Sequence, residues 1–369
     1  MNVTITFGTD DVDFSVWSNS DIQNIYALYK LLSKVNEFNV RIVNLGIDIK
    51  TIKDEVGFGL NNITFHTWDD VKNNTNLLIE SSAKINKRQS GYLKRRNCKI
   101  VSYRTDNSYV TDLEDVTFNN LKSSINNGDY YDEIWILPHH QKTNEYYLKE
   151  IYNIPVYVLP YLWVDEFMKD YEEFLSGIEK ELEYKIHNGP KNITILESNS
   201  NILESSIYPI LIVNRVYKEF PKLINKVRVL NTFHLNNNSR FLSIVNNLEI
   251  AKDERISFEN KYATPFILST VTDLVISHQW ENELDNFYFD VFYGKYPLLH
   301  NSETLKGYGF YYENFNIETA SKKLISFLKN YHLLKDDYAN RCNQAIYSYS
   351  PNNQANINRY KEKILKLVE

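Results

Sequence analysis

Residues 3–7 (VTITF), 21–34 (DIQNIYALYKLLSK) and 40–44 (VRIVN) follow one another with short connections. The first and third are short, β-branched runs, and the segment between them sets Ile22, Ile25, Leu28, Leu31 and Leu32 at helical spacing. A strand, an amphipathic helix and a second strand make a βαβ unit, which points to parallel strands covered by helices. The alternation continues with strands expected at 63–66, 99–103, 133–137 and 156–159, the last delivered by Pro155 and closed by Pro160. Together these define a first α/β domain over residues 1–160.

The stretch from Trp163 to Lys185 is acidic and helical in pattern, and HNGP at 187–190 breaks it with a Gly-Pro turn, so 161–190 is expected to link two domains. A second series follows, with strands at 192–196, 227–230, 274–277 and 297–300 and helices at 202–217 and 282–293. It defines a second doubly wound domain over 191–353. Residues 354–368 carry Ile357, Tyr360, Ile364 and Leu367 at helical spacing and are expected to return to the first domain. No repeat of about 20 to 50 residues is visible, which sets solenoids aside. The expected fold class is α/β, with two Rossmann-like domains facing one another and a ligand cleft at the carboxyl ends of both sheets. That architecture fits several enzyme classes and some binding proteins.

At 369 residues the chain exceeds a single small module, and its net charge of -6 argues against coating nucleic acid or anionic membrane by charge alone. Cys98 and Cys342 lie far apart without metal-ligand spacing, so neither a disulfide framework nor a zinc site is expected. The chain has no apolar run long enough to span a bilayer, and the N-terminus is acidic where a secretory signal is basic. A cytoplasmic protein without membrane insertion is expected.

The block Ser277-His278-Gln279-Trp280-Glu281-Asn282 is the most informative for chemistry. It follows an expected strand and opens an expected helix, where unpaired backbone N–H groups and the positive dipole end suit a diphosphate. Asp290 follows Glu281 within that helix, where a carboxylate can accept two ribose hydroxyls. The alternative is structural, with Glu281 and Asn282 as helix caps and Asp290 as a solvated helix residue.

This strand, polar loop, helix with a late carboxylate, and short strand resemble the donor-binding half of GT-B glycosyltransferases. SHQWEN, FYFD, YPLLHNS, LKGYGFYYENFN and SVWSNSDIQN together resemble, over most of the chain, an uncharacterised bacterial and viral glycosyltransferase-like family known by an unknown-function label. The resemblance implies that His278, Trp280, Glu281, Asn282 and Asp290 bind the donor, with Tyr308, Gly309, Tyr311 and Tyr312 shaping the neighbouring loop. Glu197, Ser198 and Asn199 match a Glu-Pro-Asn stretch of the family, with Ser198 in place of the proline. Where the family leads one to expect a phosphate-binding lysine the chain has Glu204, which shifts the diphosphate to backbone amides or to Arg215.

In the first domain, Trp17, Ser18, Asn19 and Gln23 lie at the loop and helix start after the first strand and are expected to face the cleft; an ordinary N-cap with Trp17 as its staple reads equally well. Asp106 follows the strand KIVSYRT and is the candidate catalytic base, its pKa raised by burial to take a proton from an acceptor hydroxyl. SYRTDNSYV is similar to the strand end of phage glucosyltransferases that decorate hydroxymethylcytosine in DNA, where a Thr-Asp pair carries the base. In the uncharacterised family this position is often glycine, which leaves Asp106 either a specialisation or a turn residue. The run KINKRQSGYLKRRNCK (84–99) offers Tyr92, Arg95 and Arg96 to a polyanionic acceptor, or forms a solvated basic helix face. His139 and His140 are a second proton-transfer pair. No metal is expected: the GT-B resemblance implies an enzyme that works without one, and no DxD motif stands out, the acidic Asp10, Asp11 and Asp13 reading as loop residues.

The function expected is transfer of a sugar from a nucleotide diphosphate sugar, a UDP-sugar by preference, to a hydroxyl of a glycan or of hydroxymethylated phage DNA. A catalytically inactive nucleotide-sugar-binding module and a GT-B-fold nucleotide-sugar epimerase are the alternatives. The oligomeric state is not legible.

Overall fold

The computed structural model describes residues 1–8, 16–17, 20–46, 63–118, 130–331 and 335–369. Ser18, Asn19 and the acidic run at 10–13 lie outside these residues. The chain divides into two compact units, one of Met1–Phe167 with Tyr347–Glu369 and one of Met168–Ile346.

Among the described residues the first unit holds seven parallel strands: β1 (Asn2–Phe7), β2 (Asn39–Asn44), β3 (Phe65–His66), β4 (Leu77–Glu80), β5 (Lys99–Arg104), β6 (Glu133–Ile136) and β7 (Val156–Val158). Their order is β3-β2-β1-β4-β5-β6-β7, and it reverses between β1 and β4. β4 sits at the centre of the sheet, pairing Val3 with Leu77 and Leu78 with Ile100, yet the sequence pattern does not announce it. All four of its residues are buried, so it has no polar-apolar alternation to read. Helices α1 (Ser20–Leu32), α2 (Lys87–Lys94), α3 (Ser108–Phe118) and α4 (Gln141–Tyr152) connect these strands. α2 starts on a complete capping box: Asn86 Oδ1 accepts from Arg88 N and Gln89 N, and Gln89 Oε1 accepts from Asn86 N. Gly8 ends β1 where no side chain fits, because a Cβ would lie 2.8 Å from the Ala83 Cβ and 2.9 Å from the Gly46 N. The loops after β1, β2 and β4 are thereby drawn together at the carboxyl edge.

The expected linker at 161–190 is shorter than the pattern suggested. Trp163, Val164 and Phe167 are buried in the first unit, and Trp163 N donates to Tyr349 O at 2.9 Å. The boundary falls inside α5 (Glu166–Gly177) rather than at the HNGP turn.

Among the described residues the second unit holds six parallel strands: β8 (Lys191–Ile195), β9 (Ile224–Val229), β10 (Ile256–Phe258), β11 (Leu274–Ile276), β12 (Leu298–His300) and β13 (Phe310–Tyr311). Their order is β10-β9-β8-β11-β12-β13, reversing between β8 and β11. The edge strands β10 and β13 have three and two residues, too short to carry a period. The main helices are α6 (Ile207–Glu219), α7 (Thr264–Val271), α8 (Asn286–Tyr293), α9 (Ile317–Asn330) and α10 (Lys335–Ser348). Two helices begin later than their patterns implied, α6 at Ile207 rather than 202 and α8 at Asn286 rather than 282. The preceding residues form loops that contain left-handed backbone at Asn199 (φ 53°) and Glu281 (φ 52°).

The closing helix α11 (Gln354–Val368) belongs to the first unit. Tyr360 is fully buried, meets Trp135 edge-on at 6.4 Å and donates to Pro160 O at 2.8 Å, while Lys363 pairs with Glu133 at 2.6 Å.

The fold is α/β of the GT-B type, two Rossmann-like domains each built on a parallel sheet.

Candidate functional site

In a doubly wound sheet the ligand crevice lies at the carboxyl edge where strand order reverses. In the second unit that place is between β8 and β11. Glu197, two residues past β8, is fully buried. Its Oε1 accepts from His278 N at 3.0 Å and its Oε2 from Gln279 Nε2 at 2.6 Å. The Asn282 amide donates to Glu204 Oε1 at 2.6 Å, and Trp280 N donates to Leu203 O at 3.0 Å. Asn301, after β12, accepts from Gln279 N at 2.8 Å and returns a bond to Gln279 O at 2.7 Å. The loops after β8, β11 and β12 are therefore bonded into one body.

Burial pushes the Glu197 carboxyl well above the usual carboxylate range, although the bonds it accepts oppose that shift. Asp285 is pushed up to about 7 by burial first and by the Glu204 charge second. Burial lowers Lys261, three residues past β10, while the charges of Asp285 and Glu204 pull it the other way. This edge thus gathers Glu197, Glu204 and Asp285 with Lys261.

Several residues singled out in the sequence meet here, with changed roles. The amides of His278, Gln279 and Trp280 were expected to offer themselves to a diphosphate, but Glu197, Asn301 and Leu203 already accept from them. The start of α8 is closed to an anion as well, because Asp285 caps it by accepting from Phe287 N at 3.0 Å. Arg215 does not stand at the helix start. It lies in the third turn of α6 and pairs with Glu318 at 3.3 Å. Asn199 clamps its own loop, donating to Glu197 O at 2.8 Å and Ser206 Oγ at 2.7 Å while accepting from Ser206 N at 2.8 Å. Ser198 Oγ meets Ser200 Oγ at 2.9 Å on the exposed side of that loop. Trp280 is 44% exposed, Glu281 is half-buried and Asp290 is buried within α8.

Asp285 and Lys261 were missed. A signal for Asp285 was present: an Asp-Asn pair directly before the run FYFDVFY is an N-cap signature. Lys261 had none, since only the fold brings the end of β10 toward Glu204 and Asp285.

At the carboxyl edge of the first unit, Thr105 Oγ1 donates to Asp21 Oδ1 at 2.5 Å, and His140 Nε2 lies 3.3 Å from Thr105 O. Asn144 is fully buried and holds the turn after β5, donating to Asp106 O at 3.0 Å and accepting from Tyr109 N at 3.1 Å. Thr143 Oγ1 adds a bond to Asn107 Oδ1 at 3.1 Å. Asp106 itself projects as an exposed side chain from this clamped turn. The burial foreseen for Asp106 acts instead on Asp21, whose carboxyl is raised by desolvation, with the Asp106 charge adding to it and the Thr105 bond opposing it. His139 is held well below the usual imidazole range by burial and by the neighbouring His140, so it is neutral at pH 7. Gln23 Nε2 donates to Val16 O at 2.8 Å, and Trp17 beside it is half-buried.

Tyr92, Arg95 and Arg96 depart from the expected placement. α2 runs back from the end of β4 toward the start of β5, so its last turn carries these residues to the amino edge of the sheet. There Tyr92 OH bonds the Asn73 side chain, Arg96 bonds Asn73 O, and the Arg96 guanidinium lies 5.9 Å from the Tyr92 ring. Lys94 is neutralised by Asp132 at 2.6 Å.

Among the described residues no group of three or more His, Cys, Asp and Glu is placed to hold a metal ion, and no helix is long and apolar enough to cross a membrane.

Comparison with solved structures returns proteins of the same fold over the whole chain. A glycosyltransferase from Rickettsia africae superposes with a TM-score of 0.56 at 13% identity, covering 100% of this chain and 98% of that one. The Anabaena protein HepE in complex with UDP-glucose gives 0.54 at 9% identity, with 99% of each chain covered. UDP-GlcNAc 2-epimerase from Neisseria meningitidis bound to UDP-GlcNAc gives 0.53 at 11% identity, covering 99% of this chain and 100% of that one. At such identities the similarity is one of fold. A search of functionally curated proteins finds no match. At the level of sequence, the profile of the family described as protein of unknown function (DUF2827) matches residues 3–364, and the chain belongs to that family.

Proposed function

We propose that the protein transfers a sugar from a nucleotide diphosphate sugar, a UDP-sugar by preference, to an acceptor hydroxyl. The observation that carries this reading is the bonded body of loops at the β8/β11 reversal, built by Glu197, His278, Gln279, Asn282 and Glu204 at the place where such a sheet takes its ligand. A site whose donors and acceptors are already oriented binds without reorganising. Three GT-B-fold relatives, one bound to UDP-glucose and one to UDP-GlcNAc, make a nucleotide sugar the natural ligand to test.

In this reading Glu281 and Asp290 take hydroxyls of the donor, with Trp280, Ser198 and Asn199 beside them. The departing diphosphate is met by Lys261 and by the positive dipole end of α6, whose first turn has no acidic residue. Asp106 is the proposed catalytic base. It takes the acceptor hydroxyl proton as the oxygen bonds the anomeric carbon, and the diphosphate leaves with the electron pair of the broken bond. Trp17, Ser18, Asn19 and Gln23 lie on the acceptor side. Of the two acceptor classes, a glycan is favoured over modified DNA because Tyr92, Arg95 and Arg96 stand at the opposite edge of the sheet from Asp106.

Calorimetric titration with UDP, UDP-glucose, UDP-GlcNAc, GDP-mannose and CMP-sialic acid, followed by product analysis with mixed glycan acceptors, tests the reading. Selective UDP-sugar binding with transfer is the expected result. Conversion of UDP-GlcNAc to an epimer without acceptor would replace it with an epimerase, binding without turnover would leave a binding module, and no binding would end it.

A further inference from the structure

His278 is a core histidine with one nitrogen left over. It is 5% exposed and sits two residues past β11, at the reversal of strand order. Its Nδ1 lies 2.9 Å from Tyr312 OH, and that hydroxyl donates to Ser277 O at 3.1 Å. Burial keeps Tyr312 protonated, so its single hydrogen is committed to the carbonyl. The Nδ1 must then carry the hydrogen and donate to the Tyr312 oxygen, which leaves Nε2 as a bare acceptor. Nε2 is fully buried and has no hydrogen-bond partner among the described residues. Burial also lowers the imidazole to about 4, so the ring is neutral at pH 7 and Nε2 keeps its lone pair.

Aromatic rings flank the imidazole. Tyr208 lies against the imidazole at 4.3 Å, and Phe315 meets it edge-on at 4.5 Å. Phe315 is nevertheless 55% exposed, and the Tyr208 hydroxyl bonds its backbone carbonyl. Phe315 is thus a surface ring in contact with a buried imidazole. An acceptor buried without a donor forfeits a hydrogen bond that a histidine in bulk water keeps, a cost a fold recovers when a ligand supplies the donor.

We propose that His278 Nε2 accepts a hydrogen bond from a hydroxyl of the nucleotide sugar, and that the Phe315 ring swings aside to admit it. This rests on the nucleotide-sugar reading of the second unit and makes His278 a positioning residue for that ligand. The donor is a hydroxyl of the ribose or of the transferred sugar, and the two are separable by probe.

The experiment measures UDP and UDP-glucose binding to the full chain by calorimetry, for the wild type, His278→Phe and Phe315→Ala, with nitrogen NMR of the histidine rings. His278→Phe keeps the ring and removes the acceptor, and is expected to weaken binding about five- to tenfold. Weakening of UDP-glucose alone identifies the transferred sugar, and equal weakening of both identifies the ribose. In the wild type and in Phe315→Ala, which keeps the His278 side chain whole, the His278 Nε2 resonance should move from an unbonded acceptor to a bonded one on adding ligand. Should His278→Phe fail to fold, that resonance decides alone. Ligand binding that leaves both the Nε2 resonance and the variant's affinity unchanged overturns the proposal while leaving the nucleotide-sugar reading in place. Failure of the wild type to bind either probe overturns both.

Discussion

The two sheets end their strands in contrasting ways. At the β8/β11 reversal the second unit buries Glu197 completely and spends the amides of residues 278–280 on internal acceptors. At the end of β5 the first unit clamps the turn, Asn144 holding the backbone of Asp106 and Tyr109 and Thr143 the Asn107 side chain, and leaves the Asp106 side chain exposed. One edge is rigid because its polar side chains bond to each other, and the other is a clamped turn beneath an exposed side chain. A binding body needs its groups fixed in orientation, whereas a base must reach a proton and release it, and the contrast matches the roles proposed for each.

Variants can set the two edges against each other. Asp106→Asn is expected to lower transfer by about 10²- to 10⁴-fold with its thermal midpoint unchanged, since the loss is of a base and not of packing. Steady-state rates beside a melting curve check both halves, and a large fall in midpoint would place Asp106 with the structural residues. Glu197→Ala should behave in the opposite sense. It strands two buried donors and is expected to cost about 2 to 4 kcal/mol in urea unfolding, through the unsatisfied amide of His278 and side chain of Gln279.

A smaller loss, about 1 to 3 kcal/mol, is expected for Asn144→Ala, which leaves Tyr109 N without its acceptor and lets the Asp106 turn move. It should reduce transfer as well, and unaltered transfer would show that the clamp does not position Asp106. The smallest effect is one of pH. Asp285 is pushed up to about 7 in the fold and returns to the ordinary carboxylate range on unfolding, so the folded state holds its proton more tightly. Stability contributed by that protonation is present at low pH and is lost as pH rises through about 4 to 7. Urea midpoints should therefore fall between about pH 5 and pH 8, and the slope should shrink in Asp285→Asn, which can still cap α8. An unchanged slope would mean that the carboxyl is already ionised at the lower pH.

The central βαβ unit was legible because Val3–Phe7 and the helix after it carry two unmistakable periods, 2 and 3.6. β4 was not, although it is the middle of its sheet, because a strand buried on both faces shows only a short apolar run. The late starts of α6 and α8 were hidden for a different reason: polar loop residues such as Glu281 and Asn282 have helical spacing by accident, and left-handed backbone at Glu281 is decided by the bonds of its neighbours. In the candidate site, His278, Glu281, Asn282 and Glu197 stood out as polar residues after strands. Their pairings did not: Asn301 lies 22 residues from Gln279, and Glu204, noted only as standing where a lysine was expected, lies 78 residues from Asn282.

By itself the sequence determined the class of fold, the two doubly wound series and the return of the last helix, because each depends on periodicity within a few turns of chain. Tertiary structure alone decided which carboxylate is buried, where Arg95 and Arg96 face and that His278 Nε2 meets no partner among the described residues. Those outcomes depend on desolvation and hydrogen-bond pairing between segments distant in sequence, and no local pattern encodes the dielectric or the partner that a side chain will meet.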